Sequence, residues 1–227
     1  MPNAADISRL RDGAWLGRQP AAFQSALLEA VVWRPVEAGT TVNLAGDESG
    51  GIWGIARGQI DIISGLGPAD SPIADIHLPG TWGGMAPVFG RRRVSNGTAR
   101  VPSLLALVPL NRLKNMLVHN PLWWECIGQL AMDYAVRYGS ATADFLIHDS
   151  RQRCIAVLLR LADCRHRDPA ASPTIILSHG ELAAATNISR SPTGEFLREL
   201  EALGFIELGY RRVTIRDAAK LRAIVDG

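Results

Sequence analysis

Leu177-Ser178-His179-Gly180-Glu181-Leu182-Ala183-Ala184-Ala185-Thr186-Asn187-Ile188-Ser189-Arg190-Ser191-Pro192-Thr193-Gly194-Glu195-Phe196-Leu197-Arg198-Glu199-Leu200 reads as a helix, a short turn and a second helix. Ser178, with Glu181 three residues on, is a capping box, which gives the first backbone N–H groups of a helix their partners. Asn187-Ile188 breaks the run. Ser189 is placed as a second N-cap, and Pro192 is admissible because the first turn of a helix needs few backbone donors. Phe196, Leu197, Leu200 and Leu203 recur at helical spacing and are expected to be buried. Arg190, Ser191, Thr193, Glu195 and Arg198 then lie on the opposite side or at the N-terminal end.

Immediately downstream, Gly204 ends the second helix. Phe205-Ile206-Glu207-Leu208 and Arg212-Val213-Thr214-Ile215 alternate as two strands around the glycine-bearing turn Gly209-Tyr210-Arg211. Helix, turn, helix and hairpin in this order are the signature of a winged helix-turn-helix, a module that sets one helix in the major groove of DNA. Charge agrees with that reading: residues 1–150 hold 12 basic and 13 acidic side chains, whereas residues 151–227 hold 12 and 9. The basic surplus sits with the module.

Upstream, residues 18–33 pattern as an amphipathic helix. From Trp33 to Val108 short apolar runs are punctuated by Gly and Pro: residues 40–44, 52–56, 59–63, 73–78 and 104–108. Strands of this length and spacing predict an antiparallel barrel or sandwich. A long helix follows over about 122–148. Ile127, Ala131, Tyr134, Tyr138, Ala141 and Phe145 recur along it at alternating spacings of four and three, a heptad stripe expected to form the seam between two copies of the chain, while off-stripe Leu130, Val136, Ala143, Leu146 and Ile147 indicate that the helix also packs on its own barrel. Another helix runs through Leu161, and His166–Pro173 reads as a loop. The expected organisation is therefore α+β in two domains, 1–150 and 151–227, with a hinge near 149–151.

Length and a hydrophobic fraction of 47% suit two cores. The N-terminus lacks the basic-then-apolar layout of a secretory signal, and no apolar stretch is long enough to span a bilayer, so a cytoplasmic protein without a membrane role is expected. Cys126, Cys154 and Cys164 are read as buried reduced thiols, because their spacing with His148 and His166 fits no standard zinc pattern; no metal or cofactor is expected. No Ser-His-Asp elbow, phosphate-loop lysine motif or zinc-hydrolase motif occurs, so no enzyme is expected.

Barrel, long helix and winged helix-turn-helix together resemble the Crp/Fnr (catabolite activator and fumarate-nitrate regulator) family of bacterial transcription factors. Glu181-Leu182-Ala183, Ser189-Arg190 and Leu203-Gly204-Phe205-Ile206 follow that family's pattern, joined by Gly39–Val42, Gly54–Ile60 and Leu113–Pro121. The resemblance implies a jelly-roll barrel like those that bind cyclic nucleotides, a dimerisation helix, and a homodimer acting on the two halves of a near-palindromic DNA operator. It further implies RNA polymerase as a partner and control by a small effector, here unknown. Arg190 matches the family's leading base-reading arginine. Ser191 stands where the family has Glu, and Glu195 where it has a second arginine, which turns that position toward cytosine or into an ion pair with Arg198. Thr193, Arg198, Arg211 and Arg212 are candidates for phosphate contact.

The effector pocket that the resemblance implies is made of Gly83, Gly84, Met85, Arg93 and Thr98, and it departs from the family. Gly84 occupies the place of the ribose-binding Glu. The phosphate-binding Arg-Ser pair falls either on Arg93-Val94 or on Gly97-Thr98, so either way one ligand is missing, and cyclic AMP is not expected to bind in the usual way. A ligand-sensing or scaffolding protein whose helix-turn-helix no longer binds DNA is the rival reading, and Glu195 is its argument.

Overall fold

The computed structural model describes residues 1–67, 71–168 and 172–227, so the loop expected over His166–Pro173 lies partly outside the described residues. Contacts divide the chain into two units, residues 1–69 with 77–137 and residues 70–76 with 138–227.

In the first unit, helix α1 (Ala4–Arg11) starts at a capping box between Asn3 and Asp6. A 3-10 turn (Leu16–Arg18) leads to α2 (Ala21–Glu29). The helix expected over 18–33 is shorter at both ends, because Pro20 stands at its N-cap and Val32 already opens strand β1 (Val32–Val36). There follow β2 (Thr41–Asn43), β3 (Gly51–Arg57), β4 (Ile60–Ser64), β6 (Trp82–Gly83), β7 (Ser95–Ala99) and β8 (Ser103–Pro109), whereas β5 (Ile73–His77) belongs, apart from His77, to the second unit. Those of the first unit form one sheet ordered β1-β8-β3-β6 and a second in which β2, β7 and β4 lie side by side. The five expected runs are strands; β1, β6 and β7 were not visible in the apolar pattern. β7 is Ser-Asn-Gly-Thr-Ala, which has almost no apolar alternation, yet its backbone pairs with β2 on one side and β4 on the other. Ladder bonds, not side chains, make it a central strand.

The core of this unit gathers Leu10, Leu16, Phe23, Ile52, Trp82 and Leu113 from α1, the turn, α2, both β3 and β6, and α3 (Leu110–His119). Trp15 stacks edge-on against Phe23 and Trp82, each 5.8 Å away, and its indole N–H donates to Cys126 O at 2.8 Å. That bond fastens the start of α4 (Trp124–Phe145) to the core.

The face that α4 buries takes in the upstream part of the expected seam. Cys126, Ile127 and Leu130 are buried in the first unit's core, and Tyr134 donates to Trp82 O at 3.1 Å. Ile127 is fully buried and Tyr134 half-buried, so the upstream half of the stripe is spent on the chain's own sheets. Tyr138 and Phe145 are exposed, Ala131 and Ala141 half-buried. A neighbouring stripe of the same period, Met132, Val136, Gly139, Ala143 and Leu146, is exposed throughout. The helix ends at Phe145 rather than His148.

The second unit holds α5 (Ser150–Leu161), β9 (Thr174–Ile176), α6 (His179–Thr186), α7 (Arg190–Ala202), β10 (Ile206–Gly209), β11 (Arg212–Ile215) and α8 (Ala218–Asp226). Asp149, at the expected hinge, caps α5 by accepting from Gln152 N at 2.7 Å. Every residue of α5 from Cys154 to Leu161 is buried, which makes it the central helix of the unit. Arg160, nearly buried, pairs with buried Asp144 at 3.0 Å, and Arg165 reaches the same carboxylate at 3.5 Å. The three strands form one antiparallel sheet, ordered β10-β11-β9; β9 extends the expected hairpin.

Candidate nucleic-acid interface

The capping box at α6 is complete. Ser178 Oγ accepts from Glu181 N at 3.2 Å, and Glu181 Oε2 accepts from Ser178 N at 2.8 Å. Asn187 closes the helix in the left-handed conformation, φ 53°, which Asn tolerates better than most residues and which gives the sharp turn into α7. Ser189 does occupy the N-cap of α7 with extended backbone, but its side chain makes no capping bond. Its carbonyl instead accepts from Thr193, from the amide at 3.3 Å and from the hydroxyl at 3.0 Å.

That bond reshapes the face of α7. Thr193 is fully buried, together with Gly194, Leu197 and Leu200, while Leu203 is 55% exposed. The buried line is rotated from the expected Phe196, Leu197, Leu200 and Leu203, because a threonine that bonds its own helix turn can go inside. Thr193 therefore does not present its hydroxyl at the surface.

Arg190, Ser191, Glu195 and Arg198 are exposed. Arg190 is the first residue of α7, and Ser191 Oγ donates to Glu195 Oε1 at 3.4 Å one turn on. Among the described residues no ion pair joins Glu195 to Arg198. The four side chains leave a surface that carries two guanidinium groups, a carboxylate and a hydroxyl, all donors or acceptors that base edges can match.

The hairpin carries the remaining candidates. β10 and β11 end at Gly209 opposite Arg212, leaving Tyr210-Arg211 as a two-residue turn. The left-handed position in that turn belongs to Arg211, φ 50°, not to the glycine. Arg211 Nη2 lies 3.6 Å from Glu181 Oε2, so this candidate is tied back to α6, whereas Arg212 is exposed. At the tip Tyr210 is 94% exposed, an aromatic side chain that the sequence reading did not single out. Its position between Gly209 and Arg211, in the turn of the hairpin, was the signal available. Beside the hairpin, Arg216 bonds the Glu207 carboxylate and holds it below the usual carboxylate range.

Of the five expected effector residues, Gly83, Gly84 and Met85 follow one another and Arg93 bonds to Gly84. Gly83 is buried on β6, Met85 opens a 3-10 turn (Ala86–Phe89), and Thr98 lies on β7 opposite Asp61 and Thr41. Arg93 is 7% exposed and donates to Gly84 O at 2.9 Å, Gly51 O at 2.9 Å and Ser49 O at 3.4 Å. Of its neighbours, Arg92 pairs with Glu48 at 2.6 Å and Arg91 is exposed. Gly84 sits at φ +82°, and a Cβ there would stand 2.7 Å from both Arg93 Nη1 and Trp53 Nε1. No side chain fits at Gly84, least of all a glutamate. Among the described residues no group of three His, Cys, Asp or Glu is placed to hold a metal, and no helix is long and apolar enough to cross a membrane.

With this geometry the comparisons agree. Residues 152–224 match the Crp-like helix-turn-helix domain. A CRP-family transcriptional regulator of Thermus thermophilus is 21% identical with a TM-score of 0.61, over 86% of this chain and 97% of that one. The c-di-GMP-responsive global regulator CLP of Xanthomonas campestris is 20% identical with a TM-score of 0.60, over 86% and 99%. A regulatory protein of Silicibacter pomeroyi, whose name gives cAMP as its ligand, is 17% identical with a TM-score of 0.67, over 99% and 100%. No curated protein sequence matches the chain. The chain thus carries a Crp-like helix-turn-helix on the fold of the Crp/Fnr-family transcription regulators.

Proposed function

We propose that this chain is a homodimeric, sequence-specific DNA-binding transcription regulator whose first unit senses something other than cyclic AMP bound in the usual way. The observation that carries the DNA reading is the exposed row on α7: Arg190 at the helix start, with Ser191, Glu195 and Arg198 beside it, above a buried side that is fully packed. Arg190 reads guanine through its two-pronged guanidinium. Glu195, steadied by Ser191, accepts from a cytosine amine, and Arg198 and Arg212 hold phosphates. Tyr210 reaches the duplex from the hairpin, the wing of the module.

Each copy supplies one recognition helix to a half-site of a near-palindrome, about one helical turn from the other. The two copies meet along the exposed stripe of α4, where Met132 and Val136 are 64% and 58% exposed, continued just past its end by Leu146 at 73%. RNA polymerase is the partner downstream, in the cytoplasm. The hinge between the domains lies at 149–151, where Asp149 caps α5, the helix that follows the end of α4.

Fluorescence anisotropy with a duplex from the promoter next to the gene tests the assignment. Wild-type protein is expected to bind it in preference to unrelated DNA, with affinity falling as salt rises. Equal binding to both duplexes would favour a helix-turn-helix that no longer reads DNA.

A further inference from the structure

The guanidinium of Arg93 is an unusual buried charge. Its three protein acceptors are neutral backbone carbonyls, at Gly84, Gly51 and Ser49, which occupy three of the five N–H donors of a guanidinium. No carboxylate pairs with it among the described residues. Asp47 is close enough to favour the cation, but its carboxylate accepts from Leu44 N at 2.9 Å, and burial pulls the Arg93 pKa down against it. A buried cation without an anionic partner is costly unless something completes it.

A second buried donor lies beside it. Trp53 is 3% exposed, and its indole N–H has no hydrogen-bond partner. Nε1 of Trp53 and Nη1 of Arg93 each lie 2.7 Å from the position a Gly84 Cβ would take, so the two donors are close neighbours, crowded against Gly84. Native structures rarely leave such a donor unmet.

Trp53 and Arg93 also wall a cleft of about 160 Å³, whose other walls include Val42, Leu105, Leu107, Asn43 and Ser49, with Arg34 and Asp47 among the lining residues. Its charges sum to an excess of one cation. Only Arg93 is shared with the expected effector residues. A cavity of about 150 Å³ holds a benzene-sized body, whereas clefts for drug-sized ligands start near about 300 Å³. The room is that of about six heavy atoms, too small for a cyclic nucleotide.

We propose that this cleft binds a small monocarboxylate, its carboxylate taken by Trp53 Nε1–H and the Arg93 guanidinium, its short aliphatic tail against Val42, Leu105 and Leu107. The anion neutralises Arg93 and satisfies the indole in one step. The apolar wall selects a tail of a few carbons over a bare inorganic anion.

The test uses the full chain with tryptophans labelled by nitrogen-15, one indole resonance for each of six residues, that of Trp53 assigned by Trp53→Phe. Butyrate at millimolar concentrations is expected to move the Trp53 resonance downfield and saturate it. Butyramide, the same shape without charge, should bind at least about tenfold more weakly, since a hydrogen bond to a charged group is the stronger. Arg93→Gln should abolish the response while the other five indole resonances stay in place. Because that variant can fail to fold, the butyrate and butyramide comparison on wild-type protein stands by itself. A Trp53 resonance that butyrate leaves unmoved, that both compounds move alike, or that inorganic phosphate or cyclic AMP saturates in preference, would overturn the proposal. The proposal builds on reading the first unit as a sensor, yet the titration contains no DNA. A protein that binds butyrate but no operator keeps this site and loses only the regulator reading.

Discussion

Arg190 owes its place to two neighbours, Asn187 and Thr193. The left-handed Asn187 turns the chain sharply after α6, and the buried Thr193 locks the first turn of α7 through Ser189 O. Arg190→Ala is expected to lower affinity for the preferred operator by about ten- to a hundredfold, the 1–3 kcal/mol of a bidentate guanine contact, with affinity for unrelated DNA little changed. Anisotropy on both duplexes checks this; an equal loss on both would make Arg190 a phosphate contact. Thr193→Val, which removes only the buried hydroxyl, should cost about 1 kcal/mol in denaturant unfolding and leave the salt dependence of binding as it was. A shallower salt slope would restore Thr193 to the phosphate contacts. Burial sets the cysteine chemistry too: the Cys154 thiol is pushed up to about 12 and Cys164 to about 11, from an ordinary value of 9.0. Both folded-state values are raised, so the stability carried by the neutral thiols is intact below pH 9.0 and is lost as pH rises through 11 and 12. At pH 8 a thiol reagent should label neither until the chain is unfolded, and mass spectrometry of the native protein reads this directly.

Element by element, what was legible in the sequence is what local chemistry decides. Ser178 and Glu181 announce their capping box, and Ser178→Ala should cost about 1 kcal/mol in thermal or denaturant unfolding. Gly204, at φ +75°, ends α7 where expected. Ser189 was half-legible: its backbone is that of a cap, but Thr193 takes its carbonyl and the side chain stays idle. β7 was illegible because Ser95–Ala99 owes its place to neighbours far along the chain, near residues 41–43 and 60–64. The division of α4 between core and exposed face was not legible from its heptad period alone. Two stripes, one through Ile127 and Tyr134 and one through Met132 and Val136, share the period, and only the packing of Trp15, Trp82 and Leu113 shows which one the chain's own core consumes. Val136→Glu is therefore expected to dissociate the dimer without unfolding it, by sedimentation equilibrium and circular dichroism, while Ile127→Glu should unfold the first unit. A Val136→Glu protein that stays dimeric would remove the seam from this face.

Taken as a whole, the molecule does not divide its charge along its two units: residues 70–76 with 138–227 hold 12 basic and 13 acidic side chains, and the basic excess is confined to the last 77 residues. Residues 1–150 are one charge short of neutral and residues 151–227 carry an excess of three positive charges, on a chain of net charge +2. That excess is modest, so affinity must come from a few placed cations, and much of the arginine in the second unit is already engaged. Arg160 and Arg165 pair with Asp144, Arg151 pairs with Glu199 at 3.1 Å, and Arg216 and Arg222 pair with Glu207 and Asp168. The candidate site was legible as a stretch of sequence, but which of its cations are free was not, since pairings such as Arg211 with Glu181 join residues 30 apart in number only after folding. The most direct test of a dimeric, sequence-reading regulator is selection of bound duplexes from a random pool by the purified full chain, followed by sequencing. The account predicts an enriched near-palindrome whose half-sites are centred about 10 base pairs apart, with a guanine in each half that Arg190→Ala no longer enriches. A pool that emerges without any enriched sequence, or with a single unpaired half-site, would contradict it.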